Sequence, residues 1–151
     1  MTLLQLCQTA HEMAHAHRHR FGLPVDVIVD RPVLIIGVEV AAGAMPRPLG
    51  RVVRDHLIRA GVASTPVITH LRHPRWIFLV GSDCSARPPY ALLSAFGVDI
   101  LRAGKRVWLP HLNTSVGWRW GSEPHLVTPN GRPAVPAYRQ LLAATRAVVE
   151  L

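Results

Sequence analysis

The stretch "VDVIVDRPVLIIGVEV", residues 25–40, indicates the fold class. It holds two apolar runs, VDVIV (25–29) and VLIIGVEV (33–40), which are separated by the three residues DRP. Both runs are rich in valine and isoleucine, whose β-branched side chains favour extended backbone over helix. We therefore predict a strand in each run, and a chain built around a sheet.

Helix signals lie on both sides of these strands. Thr2 and Gln5 match a capping box, and Gly22 stands where a helix commonly ends, so a helix is predicted over 1–22. A second helix is predicted at about 48–60, ending at Gly61, and a last one at about 135–150. The spacing of apolar residues in these segments is that of helices with one buried face.

The rest of the chain adds short strands. TPVITH (65–70) and RWIFLVG (75–81) are predicted strands, and GWRWG (117–121) is a third, shorter one. VDILRAGKRVWLP (98–110) is predicted to form a hairpin with its turn near Ala103-Gly104. A short helix is predicted in ARPPYALLSAFG (86–97). The pattern favours a single α+β domain over 1–151 with a mixed or antiparallel sheet.

Composition favours a packed domain inside the cell. Of the 151 residues, 49% are hydrophobic and 17% are charged, which is typical of a globular chain and not of a disordered one. No apolar run approaches the roughly 18 residues that span a bilayer, and no basic n-region precedes an apolar segment. We expect a cytoplasmic protein without membrane contact, in which Cys7 and Cys84 are reduced packing residues.

Positive charge is the strongest compositional signal. The net charge is +8 and the isoelectric point about 11.2, and Lys105 is the only lysine. Because the planar guanidinium of arginine matches phosphate oxygens in pairs, the excess indicates a polyanionic partner, with nucleic acid first. A GC-rich genome, which favours arginine codons, is the alternative explanation.

The second predicted helix carries an arginine stripe. Arg47, Arg51 and Arg54 follow one face of it, opposite Leu49 and Val53. This stripe predicts phosphate contacts, and it is equally compatible with an ordinary solvated face.

A zinc-hydrolase pattern lies in the first helix. His11-Glu12-Met13-Ala14-His15 fits H-E-x-x-H, in which two imidazoles on one helix face bind zinc and the glutamate acts as general base. His11 and His15, however, fall on the polar face of the helix, away from its apolar stripe. We therefore expect a solvated histidine face and no zinc, and keep a zinc hydrolase that uses His11 and His15 as an alternative.

A family resemblance enters through the segment VDILRAGKRVWLPHLNTSVGWRWG (98–121). It resembles part of the primase-polymerase domains of the archaeo-eukaryotic primase superfamily, in particular short actinobacterial proteins. RHPRWIFLVG (72–81) is similar to the strand that bears the family's catalytic histidine, and VLIIGVEVAAG (33–43) to the strand that bears its D-x-D metal ligands. The similarity of order and spacing extends from about 33 to 147, and it implies a primase-polymerase-like fold.

Placed on the family's pattern, the catalytic site is incomplete. The D-x-D positions fall on Gly37 and Glu39, the histidine position on Trp76, and only Asp99 matches its family residue. The resemblance thus implies a vestigial site, in which Glu39 and Asp99 could hold one Mg²⁺ or Mn²⁺ but not the two ions of nucleotidyl transfer. Two alternatives stay open: Asp99 caps a strand or pairs with Arg102, and Glu39 faces solvent.

These observations predict a catalytically degenerate, nucleic-acid-binding accessory or regulatory protein, linked to replication or to a mobile element, whose ligand is DNA or RNA. Its expected binding surface consists of basic residues, with two tryptophans as base-stacking platforms: Arg47, Arg51, Arg54, Arg75, Arg102, Lys105, Arg106, Arg119, Trp118 and Trp120. The alternatives are an active primase or nucleotidyltransferase, the zinc hydrolase, and a protein-interaction module that binds a protein partner or a second copy of itself.

Overall fold

A computed structural model describes residues 9–37, 39–62, 65–82, 90–101, 103–110 and 117–150. The helices in this part of the chain are α1 (Ala10–Arg20), α2 (Arg47–Arg59), α3 (Tyr90–Ala95) and α4 (Tyr138–Val149). The strands are β1 (Val25–Ile28), β2 (Arg31–Ile35), β3 (Val40–Pro46), β4 (Val67–His70), β5 (Arg75–Gly81), β6 (Asp99–Leu101), β7 (Arg106–Trp108) and β8 (Trp118–Ser122).

The strands form two sheets. One has the order β1-β2-β7 and the other the order β6-β3-β5-β4-β8, and every pair of neighbouring strands is antiparallel. The predicted α+β class with an antiparallel sheet is therefore confirmed. Among the described residues, no helix is long and apolar enough to cross a membrane.

The five-stranded sheet is buried on both faces because its side chains alternate. On β5, Trp76 and Phe78 belong to a core cluster beneath α2 and α4, whereas Leu79 belongs to a second cluster that contains residues of α1 and the three-stranded sheet. On β4, Val67 and Ile68 divide between the same two clusters. The result is a central sheet with two helices on one face and α1 with the smaller sheet on the other.

Helix α2 lies unusually close to the central sheet. A Cβ atom added to Gly50 would lie 3.1 Å from Cε3 of Trp76, so the indole packs tightly against the helix backbone at this glycine. This close approach places the outward side chains of α2 beside the end of the sheet where β5 begins.

Two strand predictions were wrong. The run 33–40 is divided, because β2 ends at Ile35, β3 begins at Val40, and the backbone N–H of Gly37 donates to the carbonyl of Val40. The stretch 98–110 is not a hairpin, because β6 pairs with β3 and β7 pairs with β2. The turn holds Gly104 at a positive φ as expected, but the two strands enter different sheets, where Val107 and Leu109 pack in the core.

Helix α1 lies within the predicted segment 1–22 and begins at Ala10. Thr9 has extended backbone angles and its side chain accepts a hydrogen bond from the N–H of Glu12, which makes it the N-cap of α1. Residues 1–8, including the Thr2–Gln5 pattern and Cys7, lie outside the described residues, as does Cys84. The two longer helices, α2 and α4, occupy the predicted segments within one to three residues.

Candidate phosphate-binding cleft

A cleft of about 280 Å³ lies between α2 and the β4–β8 edge of the central sheet. Four of the residues that line it are arginines. The lining residues are Arg47, Arg51, Arg54, Thr69, His70, Leu71, Trp76, Arg119 and Gly121. The structure therefore brings four of the predicted phosphate-binding arginines, from two separate elements, into one concave site.

The floor of the cleft follows from alternation along β8. Trp120 pairs with Ile68 of β4, and both pack toward the core cluster on the far side of the sheet. Arg119 and Gly121 alternate with it and line the cleft together with Thr69. Gly121 is tightly placed, since a Cβ atom there would lie 2.8 Å from Cγ2 of Thr69. Small side chains on this face leave the space that the arginines surround.

Arg47 links the start of α2 to the β4–β5 connection by hydrogen bonds at one side of the cleft. Its backbone N–H donates to the carbonyl of Pro74 (2.8 Å), and its Nη2 donates to the carbonyls of His70 (3.1 Å) and Leu71 (3.4 Å). These bonds fix the β4–β5 connection against the start of α2. Because one of its guanidinium nitrogens is engaged in this way, Arg47 offers a ligand fewer free donors than its neighbours do.

No acidic residue lines the cleft beside the other three arginines. The guanidinium of Arg54 lies over the ring of Trp76 at 5.9 Å, and Arg51 and Arg119 are exposed. Within the described part of the chain the one ion pair is Arg146–Glu150, on α4. Clustered cations without counter-charges produce a strongly positive local potential, which attracts anions.

The His70 ring is fixed beside Trp118, with which His70 pairs across β4 and β8. Its Nδ1 accepts hydrogen bonds from the backbone N–H groups of Arg72 and His73, both at 2.9 Å. Since Nδ1 is an acceptor, the ring hydrogen resides on Nε2. Neither Thr69 nor Gly121 was predicted as a site residue, although the alternation in Trp-Arg-Trp-Gly-Ser (118–122) is a signal that could have found Gly121.

The remaining basic residues lie elsewhere. Lys105 and Arg106 adjoin the β2–β3 turn, because Ile36 N–H donates to the carbonyl of Lys105 and Arg106 pairs with Ile35. That turn precedes β3, whereas the cleft lies where β3 ends, about 20 Å away at 3.3 Å per residue. Nη2 of Arg75 contacts the carbonyl of Gly97 (3.5 Å). Arg102 lies outside the described residues. Of the residues predicted to form the binding surface, only Arg47, Arg51, Arg54 and Arg119 line the cleft.

The two predicted base platforms face away from the cleft. Trp120 is stacked on His17 of α1 with 5.8 Å between ring centroids, and its Nε1 is buried. Trp118 packs against the same core cluster and contacts the rings of His70 (4.6 Å) and His73 (6.0 Å). Alternation puts both indoles on the opposite face of β8 from Arg119, so a base of a strand held in the cleft cannot stack on them directly.

The predicted shared metal site does not form. Asp99 pairs with Ala44 near the end of β3, whereas Glu39 precedes the first residue of that strand. Five residues of extended backbone separate the two positions by about 16 Å, which is too far for one ion. Trp76 pairs with Met45 and is buried under α2, so it too is remote from Gly37 and Glu39. No group of three or more potential metal ligands occurs among the described residues.

The H-E-x-x-H residues lie on an open helix surface. His11 and His15 are exposed on α1, as their polar-face position predicts, and the rings of His15 and His19 are 4.2 Å apart. His17, one position from this face, is fully buried. An exposed helix face provides no walls to exclude water from a zinc-bound substrate, in contrast to the cleft that a hydrolase requires.

The buried imidazole of His17 is electrostatically distinct. Its Nδ1 lies 2.7 Å from the carbonyl of Met13 and therefore carries the hydrogen, and its Nε2 has no partner among the described residues. Burial lowers the pKa of His17 to about 4, and the bond to Met13 only partly opposes this shift. His17 is thus a neutral core residue at pH 7 that fixes α1 against Trp120.

Comparison of the chain with protein-family models, with curated proteins and with solved structures finds no match. The function proposed below therefore rests on the positions and the chemistry of the residues themselves.

Proposed function

We propose that this protein binds nucleic acid through the phosphate groups of the ligand, and that the arginine cleft is the main contact. The observation that carries the proposal is the convergence of Arg51, Arg54 and Arg119, from α2 and β8, on one concave site without a carboxylate in its lining. Guanidinium groups bind phosphate oxygens in pairs, and such charge-assisted bonds are about twice as strong as neutral ones. DNA and RNA both present these oxygens.

We further propose that binding is not accompanied by nucleotidyl transfer. Asp99 faces Ala44 across the β6–β3 pair, and the next positions of that pair are Gly43 with Ile100 and Ala42 with Leu101. None of the β3 residues beside Asp99 has a carboxylate that could serve with it as a metal ligand. We propose an accessory or regulatory role in the cytoplasm, of the primase-polymerase-like type that the sequence resembles; the lack of a neighbouring carboxylate supports the non-catalytic part of this proposal.

A salt series tests the proposal. We expect wild type with four phosphate contacts to give a log–log slope of about −2.8 on single strands, so that affinity falls roughly 50-fold between 50 and 200 mM salt. Replacing Arg51, Arg54 and Arg119 together with alanine should reduce the slope by about 2 units. The matched control, Arg18→Ala/Arg59→Ala/Arg139→Ala, removes the same charge from exposed sites outside the cleft lining.

The control decides between a site and a general charge effect. If it reduces binding as much as the cleft variant, net charge and not the cleft carries the affinity. If wild type shows no salt-sensitive binding to single-stranded DNA, duplex DNA or RNA at 50 mM salt, nucleic acid is not the ligand, and the protein-interaction alternative takes its place.

A further inference from the structure

We propose that the cleft binds the terminal phosphate of a nucleic acid strand in preference to an internal phosphodiester. This inference rests on the proposed function, since it assigns a position on the strand to the ligand of the same site. Its observations are the density of charge in the cleft, the number of guanidinium donors and the small size of the space.

Charge density is the first step. An internal phosphodiester carries one negative charge, whereas a phosphate monoester carries about −1.5 to −2 near pH 7. Arg51, Arg54 and Arg119 present three cations to a single cleft, and no residue in its lining is acidic. A dianionic end therefore balances this cluster better than one internal phosphate does.

The donor count leads to the same ligand. Each guanidinium can present two parallel N–H groups to two oxygens. An internal phosphodiester has two non-bridging oxygens, whereas a terminal phosphate has three strong acceptors. Three arginines that each present paired N–H groups offer more donors than two oxygens can accept.

The size of the cleft suits a single phosphate. Its volume of about 280 Å³ has room for one phosphate with its sugar. His70 and Leu71 wall it on the side of the β4–β5 connection, which the hydrogen bonds of Arg47 hold in place. A strand end can enter such a space without passing through it.

The test uses one 12-nucleotide single-stranded DNA sequence with three ends: unphosphorylated, 5′-phosphorylated and 3′-phosphorylated. A fluorophore at a mid-strand base reports binding by anisotropy at pH 7.5. We expect at least one phosphorylated form to bind about tenfold more tightly, because its terminal phosphate adds negative charge and a third acceptor oxygen. Arg51→Ala/Arg54→Ala should remove this preference, and the control Arg18→Ala/Arg139→Ala should retain it.

Inorganic pyrophosphate provides a second measurement. It should compete with the phosphorylated strand and raise the melting temperature of wild type, but not that of the Arg51→Ala/Arg54→Ala variant. Equal binding of all three strands, lost in the cleft variant, would overturn the terminal-phosphate inference and leave the proposed function intact. Absence of salt-sensitive binding by any strand would overturn both, even if pyrophosphate still bound.

Discussion

Helices α1 and α2 each display basic side chains at helical spacing, yet the fold gives them different surroundings. On α1, His15 and His19 lie on an open, convex surface. On α2, Arg51 and Arg54 border a cleft whose floor is formed by another element. The difference teaches that periodic charge on a helix becomes a site only where a neighbouring element makes the surface concave.

The strand next to each helix explains the difference. Beside α2, the cleft face of β8 carries Arg119 and Gly121, one of which adds charge and the other space. Beside α1, the facing residue of β8 is Trp120, whose ring fills the gap by stacking on the buried His17. One face of the five-residue strand β8 therefore borders the cleft, and its other face packs against the core.

The largest expected effect is a loss of stability at low pH, which distinguishes the buried His17 from the exposed histidines of α1. Because the pKa of His17 is lowered to about 4, the unfolded chain binds a proton between pH 4 and 6.5 that the folded chain does not bind. Stability is thus fully present above about pH 6.5 and should fall by about 3 kcal/mol as the pH drops to 4. Urea unfolding across this range measures the loss.

His17→Leu should remove most of this pH dependence, whereas the matched exposed variant His15→Gln should unfold with the dependence of wild type. A His17→Leu protein with an unchanged pH profile would show that other groups dominate the acid response. If this variant fails to fold, His17→Met, with a more adaptable side chain, serves in its place.

The next largest effect tests whether nucleic acid binding depends on where the positive charges lie or only on how many there are. Arg51→Ala/Arg54→Ala should weaken binding of single-stranded DNA roughly tenfold or more at 50 mM salt and reduce the salt slope by about 1.4 units. Adding His15→Arg/His19→Arg to this variant restores the net charge of the protein by placing two arginines on α1. The affinity should not recover, because these charges lie outside the cleft. Recovery of wild-type binding in the fourfold variant would break the comparison between the two helices.

A smaller effect is expected at the vestigial metal positions. Glu39→Gln/Asp99→Asn should leave nucleic acid affinity unchanged, because neither residue lines the cleft. Neither wild type nor this variant should extend a primer on a template with Mg²⁺ or Mn²⁺. Template-dependent incorporation by wild type that is lost in Asp99→Asn would show that Asp99 belongs to an active centre.

The smallest effect is expected on the exposed face of α1. His11→Ala/His15→Ala should leave folding and nucleic acid binding at pH 7.5 unchanged, and metal analysis of purified wild type should find no stoichiometric zinc. One tightly held zinc ion per chain, lost in the double variant, would restore the hydrolase alternative.

The sequence by itself determined the class of the fold and most of its elements. Local composition was sufficient for this, because β-branched runs such as 67–70 and the apolar face of 47–59 define their own secondary structure. It also placed His11 and His15 on an exposed face, since helical spacing alone sets which side chains share a side. The arginine excess, a property of composition, was equally visible.

Strand pairing, and with it the site, was decided only by the tertiary structure. The turn at Gly104 fits a hairpin, yet β6 and β7 enter different sheets because each finds its hydrogen-bonding partner far along the chain. Likewise, Arg119 meets Arg51 and Arg54 only because β8 pairs with β4 at one edge of the sheet. Such contacts join residues about 65 positions apart, and no local pattern encodes which distant strands will become neighbours.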